Sequence, residues 1–253
     1  MNTHHILKQI ESKAKSTCLL VALMLFSTHA YAQATTDFVM TVKTDNAGVS
    51  GTTEFKIETD EGTAGYNYNV DVDNDGVYDF TGLTGDFTHD FGAVGTYTIR
   101  IADNVGDGTG FPRFFYNDVS DEEKILSIDQ WGAIKWTNMQ GAFYGATNLV
   151  LNATDTPDLA LVTDFRGMFR DNSSLVDNGG QMNNWNMSTA TTIQEMFSGA
   201  TVFNSDISSW DVSNVTTFRG TFRSATAFNQ NINTWNTSSA LSMRDMFFWG
   251  LQL

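Results

Sequence analysis

An aromatic repeat of 25 residues limits what the C-terminal half of this chain can fold into. Tryptophan recurs at this interval, and a phenylalanine follows each tryptophan by 12 residues, in the pairs Trp185 and Phe197, Trp210 and Phe222, and Trp235 and Phe247. The frame extends back to Trp131 and Phe143. Two aromatic series in fixed phase indicate repeat units that stack and bury the same face. Residues 131–253 hold about five such units, the last of them incomplete.

Each unit contains one helical and one extended pattern. Val215, Phe218 and Phe222 are spaced i, i+3 and i+7, which predicts a short helix that begins after Ser213 as N-cap. The preceding segment DISSWDV, residues 206–212, predicts a brief strand. One strand and one short helix per unit predict a short leucine-rich-repeat-like solenoid.

Residues 37–101 show the period of β-strands instead. In YNYNVDV, residues 66–72, tyrosine and valine alternate with asparagine and aspartate, and similar segments follow between Gly- and Asp-rich turns. We therefore predict an antiparallel β-sandwich over residues 37–101 and a connecting segment over residues 102–130.

Both halves resemble known families. The pattern FN.DI..WDVSNVT, followed by a segment ending in TF or MF and then A..FN, as in residues 203–228, resembles the BspA-type leucine-rich repeat of bacterial surface proteins. The segment THDFGAVGTYTIRI, residues 88–101, resembles the closing strands of PKD-type immunoglobulin-like domains. These resemblances imply a secreted or cell-surface bacterial protein that binds protein or glycan at a cell surface or in the extracellular matrix, in some relatives as an adhesin.

The N-terminus predicts secretion. Residues 1–32 combine a lysine-containing start, the apolar run CLLVALMLF and the small-residue motif AYA, which predict a signal peptide cleaved after Ala32. The apolar run is too short to span a membrane, so we expect no membrane insertion after cleavage. The only cysteine, Cys18, lies within this segment, so we expect the secreted chain to have no disulfide.

Composition argues against several functions. The formal net charge of -15 makes nucleic acid a poor partner. His89 is the only histidine after the predicted signal peptide, and no serine or acid stands with it in a recognisable motif, so we predict no catalytic residue and no enzyme activity. A structural spacer or stalk in a surface assembly is the alternative to binding, and a carboxylate-dependent glycan hydrolase ranks below both.

A polar row beside the tryptophans is the predicted binding site. If the aromatic residues point inward, the residues that follow them point outward and stack from unit to unit. The row consists of Asn186, Asp211 and Asn236, together with Ser188, Ser213 and Ser238.

One acidic segment suggests a metal site. In DVDNDGVYD, residues 71–79, the carboxylates are Asp71, Asp73, Asp75 and Asp79, and their spacing matches the first half of a calcium-binding loop. The twelfth position is Gly82, where such a loop needs a bidentate glutamate. A β-turn built on Asn74 and Gly76 accounts for the same residues and is the favoured interpretation, with calcium as the alternative.

Overall fold

The structure, a computed structural model, describes residues 36–249 as a mostly β fold. The predicted signal peptide lies outside the described residues. The strands are β1 Phe38–Lys43, β2 Glu54–Ile57, β3 Tyr68–Asp71, β4 Phe80–Leu83, β5 Phe87–Asp90, β6 Thr96–Asp103, β7 Ile125–Gln130 and β8 Val150–Leu151. Single 3₁₀ turns occur at Glu122–Lys124 and Met182–Asn184. No helix within residues 36–249 is long and apolar enough to cross a bilayer.

The main sheet has six strands in the order β4-β3-β6-β1-β7-β8, and β2 and β5 form a separate two-stranded sheet. All pairs are antiparallel except β7 with β8, which is parallel. The predicted antiparallel sandwich is therefore wrong. β7 comes from the predicted connecting segment, and β8 comes from the first repeat unit. The alternation of polar and apolar residues within a segment does not show which distant strand that segment will pair with.

The described residues lie in one compact unit. A single cluster of buried hydrophobic side chains includes residues from the main sheet and from the repeat units, with Phe38 and Trp131 at 5.8 Å between ring centroids. The predicted domain boundaries at residues 101 and 130 stay a prediction.

The repeat units contain no α-helix within residues 36–249, so the predicted leucine-rich-repeat solenoid of strands and helices is wrong. Backbone donors in the predicted helix bond to the next unit instead of to the preceding turn. Phe218 N donates to Ser242 O at 2.8 Å, and Phe222 N donates to Met246 O at 2.8 Å. Intervening donors close tight turns, such as Thr221 N to Phe218 O at 3.2 Å. These bonds use the groups that an α-helix would need.

Left-handed backbone at fixed positions also breaks the helical pattern. Gly220 has φ of 62° and Ser224 has φ of 58°. The same two positions in the neighbouring units are left-handed at Gly167, Asp171, Glu195, Gly199, Asp245 and Trp249. An α-helix of L-residues does not tolerate this conformation, and the recurring glycines were the sequence signal for it.

Aromatic side chains form columns inside the repeat units. Trp185, Trp210 and Trp235 stack with 6.3 Å between successive ring centroids, and all three are buried. A second column runs through Phe143, Phe169, Phe197, Phe222 and Phe247 at 5.5–6.0 Å. The prediction that the aromatic residues form the shared core of the units is confirmed.

A buried ion pair holds the loop before β2 against the sheet. Lys124 Nζ donates to Ser50 Oγ at 2.7 Å, Gly51 O at 2.8 Å and Glu54 O at 2.9 Å. It lies 3.7 Å from Asp121 Oδ2, and both side chains are almost fully buried. Asp121 also accepts backbone hydrogen bonds from Val49, Ser50 and Lys56 at 2.7–3.0 Å.

We expect Asp121→Ala to lower the free energy of unfolding by about 3 kcal/mol or more, because it leaves a buried lysine and several backbone donors unpaired. Asp45→Ala is the control, since its pair with Lys43 is exposed and is worth about 1 kcal/mol or less. Urea denaturation of both variants measures the difference. Equal small effects would contradict the role given to Asp121.

We expect Gly167→Ala to cost about 1–2 kcal/mol, because alanine is strained at the left-handed φ of 60°. The nearest atom to an added Cβ is Arg170 Cβ at 3.7 Å, so the cost comes from the backbone and not from a clash. Gly85→Ala is the matched control, with free space and no positive φ. Equal melting temperatures for the two variants would refute this explanation.

Candidate functional site

The predicted polar row lies on the surface, but its side chains are used in local turns. Asn186, Asp211 and Asn236 are exposed and each directly follows a buried tryptophan. Each Oδ1 accepts a hydrogen bond from the backbone N–H two residues later, at 3.2 Å from Ser188, 3.0 Å from Ser213 and 3.1 Å from Ser238. The row therefore caps the chain turn after each tryptophan.

The capping uses one acceptor oxygen of each Asn or Asp in the row. Hydrogen bonds from the Ser213 side chain and backbone lower the pKa of Asp211, so its carboxylate is charged and already partnered. Asn186 Oδ1 also accepts from Ser188 Oγ at 2.7 Å. The structure confirms nothing about ligand binding by these residues, and that role stays a prediction.

Sequence reasoning missed two columns of arginines on the repeat units. They belong to the motifs FRGMFR, FRGTFR and MRDMFF, in which arginine occurs three residues before or one residue after the phenylalanine of the aromatic column. These arginines are Arg166, Arg170, Arg219, Arg223 and Arg244. We call them the arginine face. Their fixed phase with phenylalanine was the signal that could have revealed them.

The backbone places these positions in register. Gly167 N donates to Gln194 O, Glu195 N to Arg219 O and Gly220 N to Arg244 O, all at 2.9 Å. Equivalent positions of successive units therefore lie one above the next, at the spacing of neighbouring strands, about 4.8 Å. The unit of Phe197 has Gln194 and Ser198 at the two arginine positions. The other arginines among residues 36–249, Arg100 and Arg113, are buried.

Part of the arginine face is neutralised by its own acids. Arg166 Nη2 lies 2.6 Å from Asp164 Oδ2, Arg170 Nη1 lies 2.8 Å from Glu195 Oε2, and Arg244 Nε lies 3.2 Å from Asp245 Oδ2. Within the described part of the chain, Arg219 and Arg223 form no ion pair.

Both unpaired arginines lie on the surface. Arg219 and Arg223 are exposed, and the Arg223 guanidinium lies over the Phe248 ring at 5.5 Å. Both guanidinium groups are therefore exposed without an acidic partner within residues 36–249.

A shallow polar hollow marks the same face in an earlier unit. Its volume is about 180 Å³, and its lining includes Gln140, Tyr144, Arg166, Arg170, Gln194 and Glu195. Arg219 and Arg223 occupy the positions equivalent to Arg166 and Arg170 in the repeat. Guanidinium groups are planar donors that bind carboxylate and sulfate groups through paired hydrogen bonds.

The acidic segment brings three of its four predicted ligands together. Carboxylate oxygens of Asp71, Asp73 and Asp79 all lie within 4.8 Å of one another. Asp75 is outside this group, and its Oδ1 accepts from Val77 N at 2.8 Å. Burial and then repulsion from Asp75 raise the pKa of Asp73, with smaller contributions from Asp79 and Asp71.

His89 lies in an aromatic cluster. Its ring centroid is 4.6 Å from that of Phe91 and 5.5 Å from that of Phe80. It belongs to β5, in the two-stranded sheet. Within residues 36–249 no hydrogen bond joins His89 to a serine or an acid.

The comparisons with known proteins overturn the resemblance to BspA-type repeats with a PKD domain. Residues 114–178 and 137–250 match the family described as Mycoplasma protein of unknown function, DUF285. Comparison with curated proteins and with solved structures found no match. The predicted leucine-rich-repeat and PKD assignments are wrong, because the matching family is a different one and residues 36–249 form neither the repeat helices nor the sandwich.

The two matched ranges overlap and together span more than half of the chain, including all the repeat units up to residue 250. The protein belongs to the DUF285 family.

Proposed function

We propose that this is an extracellular binding protein without catalytic activity, and that its arginine face binds an acidic glycan. The observation that carries the proposal is the pair Arg219 and Arg223, exposed in one turn and without an ion pair within residues 36–249. The predicted signal peptide supports an extracellular location.

The arginine face favours an anionic partner. A neighbouring unit shows how a guanidinium of this face meets a carboxylate, since Arg170 Nη1 lies 2.8 Å from Glu195 Oε2. Arg219 and Arg223 hold the positions equivalent to Arg166 and Arg170. Asp245 holds the position equivalent to Glu195, but within residues 36–249 it pairs with Arg244 and not with Arg223. Regularly spaced carboxylates or sulfates of an acidic polysaccharide supply such groups at several points along a stack of units.

The negative net charge of the whole chain does not argue against binding of an acidic glycan by the arginine face. The formal net charge is -15, but charges farther away than about 8–10 Å are largely screened at physiological salt. The charges beside the ligand decide its binding, and two arginines of this face form no ion pair within residues 36–249. Screening also means that binding should weaken as salt rises.

We expect the double variant Arg219→Glu and Arg223→Glu to bind polygalacturonate or chondroitin sulfate roughly tenfold more weakly or worse, because two attractive charges become repulsive. Both side chains are exposed, so the melting temperature should change little. Affinity electrophoresis in gels that contain each polysaccharide, at low and high salt, measures the effect. Neutral dextran is the negative control.

Asp211→Asn is the matched control for the predicted polar row. It keeps the Oδ1 acceptor for Ser213 N but removes the charge. If the arginine face is the site, this variant binds as well as the unmodified protein. Weakened binding in Asp211→Asn with unchanged binding in the arginine variant would move the site to the polar row, and retention on dextran would argue against charge recognition.

The spacer role has one observation in its favour. Apolar side chains are exposed on the last described unit, with Leu241 at 87% and Trp249 at 75% exposure. Contact with another chain through this end would bury them. Sedimentation velocity over a range of concentrations tests this role, and a strictly monomeric protein would count against it.

A further inference from the structure

The loop between β3 and β4 contains more carboxylates than its turn requires. β3 ends at Asp71 and β4 begins at Phe80, and Val70 pairs with Phe80 across the hairpin. The turn itself is made by Asn74 and Gly76, whose φ values are 58° and 91°. Asp75 supports it by accepting from Val77 N at 2.8 Å. Asp73 Oδ1 also accepts from Asp75 N, at 3.2 Å. The turn interpretation therefore accounts for Asn74, Asp75, Gly76 and one oxygen of Asp73.

It does not account for the second carboxylate oxygen of Asp71. The Asp71 side chain is fully buried. Its Oδ2 accepts from Gly76 N at 2.9 Å and faces Arg100 Nη1 at 3.4 Å. Its Oδ1 is buried without any hydrogen-bond partner. A buried carboxylate oxygen without a donor is costly, and its presence indicates a partner that the protein chain does not supply.

The excess of carboxylates around Asp71 also favours a bound cation. Arg100 is shared between two buried carboxylates, because its Nη2 lies 2.5 Å from Asp37 Oδ2 while Nη1 faces Asp71. One positive charge thus faces two negative ones. Asp73 and Asp79 add two further carboxylates at the surface of the same cluster.

We propose that Asp71, Asp73 and Asp79 bind one calcium ion. Their carboxylate oxygens lie within 4.8 Å of one another, and two oxygens on the same calcium ion, at about 2.4 Å each, are at most about 4.8 Å apart. The ligands are all oxygen, which suits calcium and not a soft metal. Calcium takes 6–8 oxygen ligands, so water and backbone carbonyls complete the coordination.

The site joins the β3–β4 loop to the interior of the main sheet. Asp71 is the last residue of β3, which pairs with β6, and the Arg100 side chain comes from β6. Asp79 holds the other side of the loop, since its Oδ2 accepts from Val72 N at 3.0 Å. Bound calcium therefore stabilises the loop and the sheet together, and it does so independently of the arginine face.

The test compares the melting temperature of the purified protein in chelator, in calcium and in magnesium, with calcium binding measured by titration calorimetry. We expect saturating calcium to raise the melting temperature by about 5 °C or more. Magnesium should raise the melting temperature less than calcium does, because it holds its water more tightly and needs a stricter octahedral geometry.

Three variants separate a metal site from a turn. Asp73→Asn and Asp79→Asn should each weaken calcium binding at least roughly tenfold. In chelator they should melt at or above the temperature of the unmodified protein, because a repelling charge is gone. Asp75→Asn removes a neighbouring charge from the same loop but not a ligand, so it should keep the calcium response.

The proposal is wrong if the unmodified protein shows no binding heat and no shift with calcium. An equal response to magnesium would contradict the assignment to calcium. Loss of the calcium response in Asp75→Asn, with its retention in Asp73→Asn and Asp79→Asn, would overturn the ligand set.

Discussion

Backbone hydrogen bonds between successive repeat units are the interaction on which the C-terminal half of this protein depends. Donors such as Phe218 N and Phe222 N bond to carbonyls one unit later along the chain. Because these groups are used between units, the segment cannot also form an α-helix. The same bonds fix the register, so phenylalanines stack on phenylalanines, and Arg219 lies beside the equivalent Arg244 of the next unit. Core and surface thus follow from one pattern of hydrogen bonding.

Buried charges organise the other half. Arg100 joins β6 to Asp37 beside β1 and to Asp71 at the end of β3. Lys124 holds the loop before β2 and the start of β2 through four carbonyl or hydroxyl oxygens. Burying such charges is costly unless their geometry is well satisfied. Lys124 meets this condition. The Asp71 carboxylate does not, and this difference separates a purely structural cluster from the proposed calcium site.

The polar surface shows why site prediction from sequence succeeds only in part. The phase of Asp211 relative to Trp210 correctly predicted exposure, since a residue beside an inward tryptophan points out. It could not show that Oδ1 is already bound to Ser213 N. Arg219 and Arg223 have the same exposure but no acidic partner within residues 36–249. Pairing depends on which acid the next unit brings close, as Glu195 does for Arg170.

The sequence by itself determined the 25-residue period, the buried aromatic columns and the acidic cluster of residues 71–79, because these depend on spacing along the chain. Tertiary structure decided the rest. The parallel pairing of β7 with β8, the absence of α-helix from residues 36–249 and the exclusion of Asp75 from the carboxylate group all arise from contacts between distant or folded-back segments. The spacing of residues along the chain does not predict such contacts, because the hydrogen-bond partners are set only when the segments pack together.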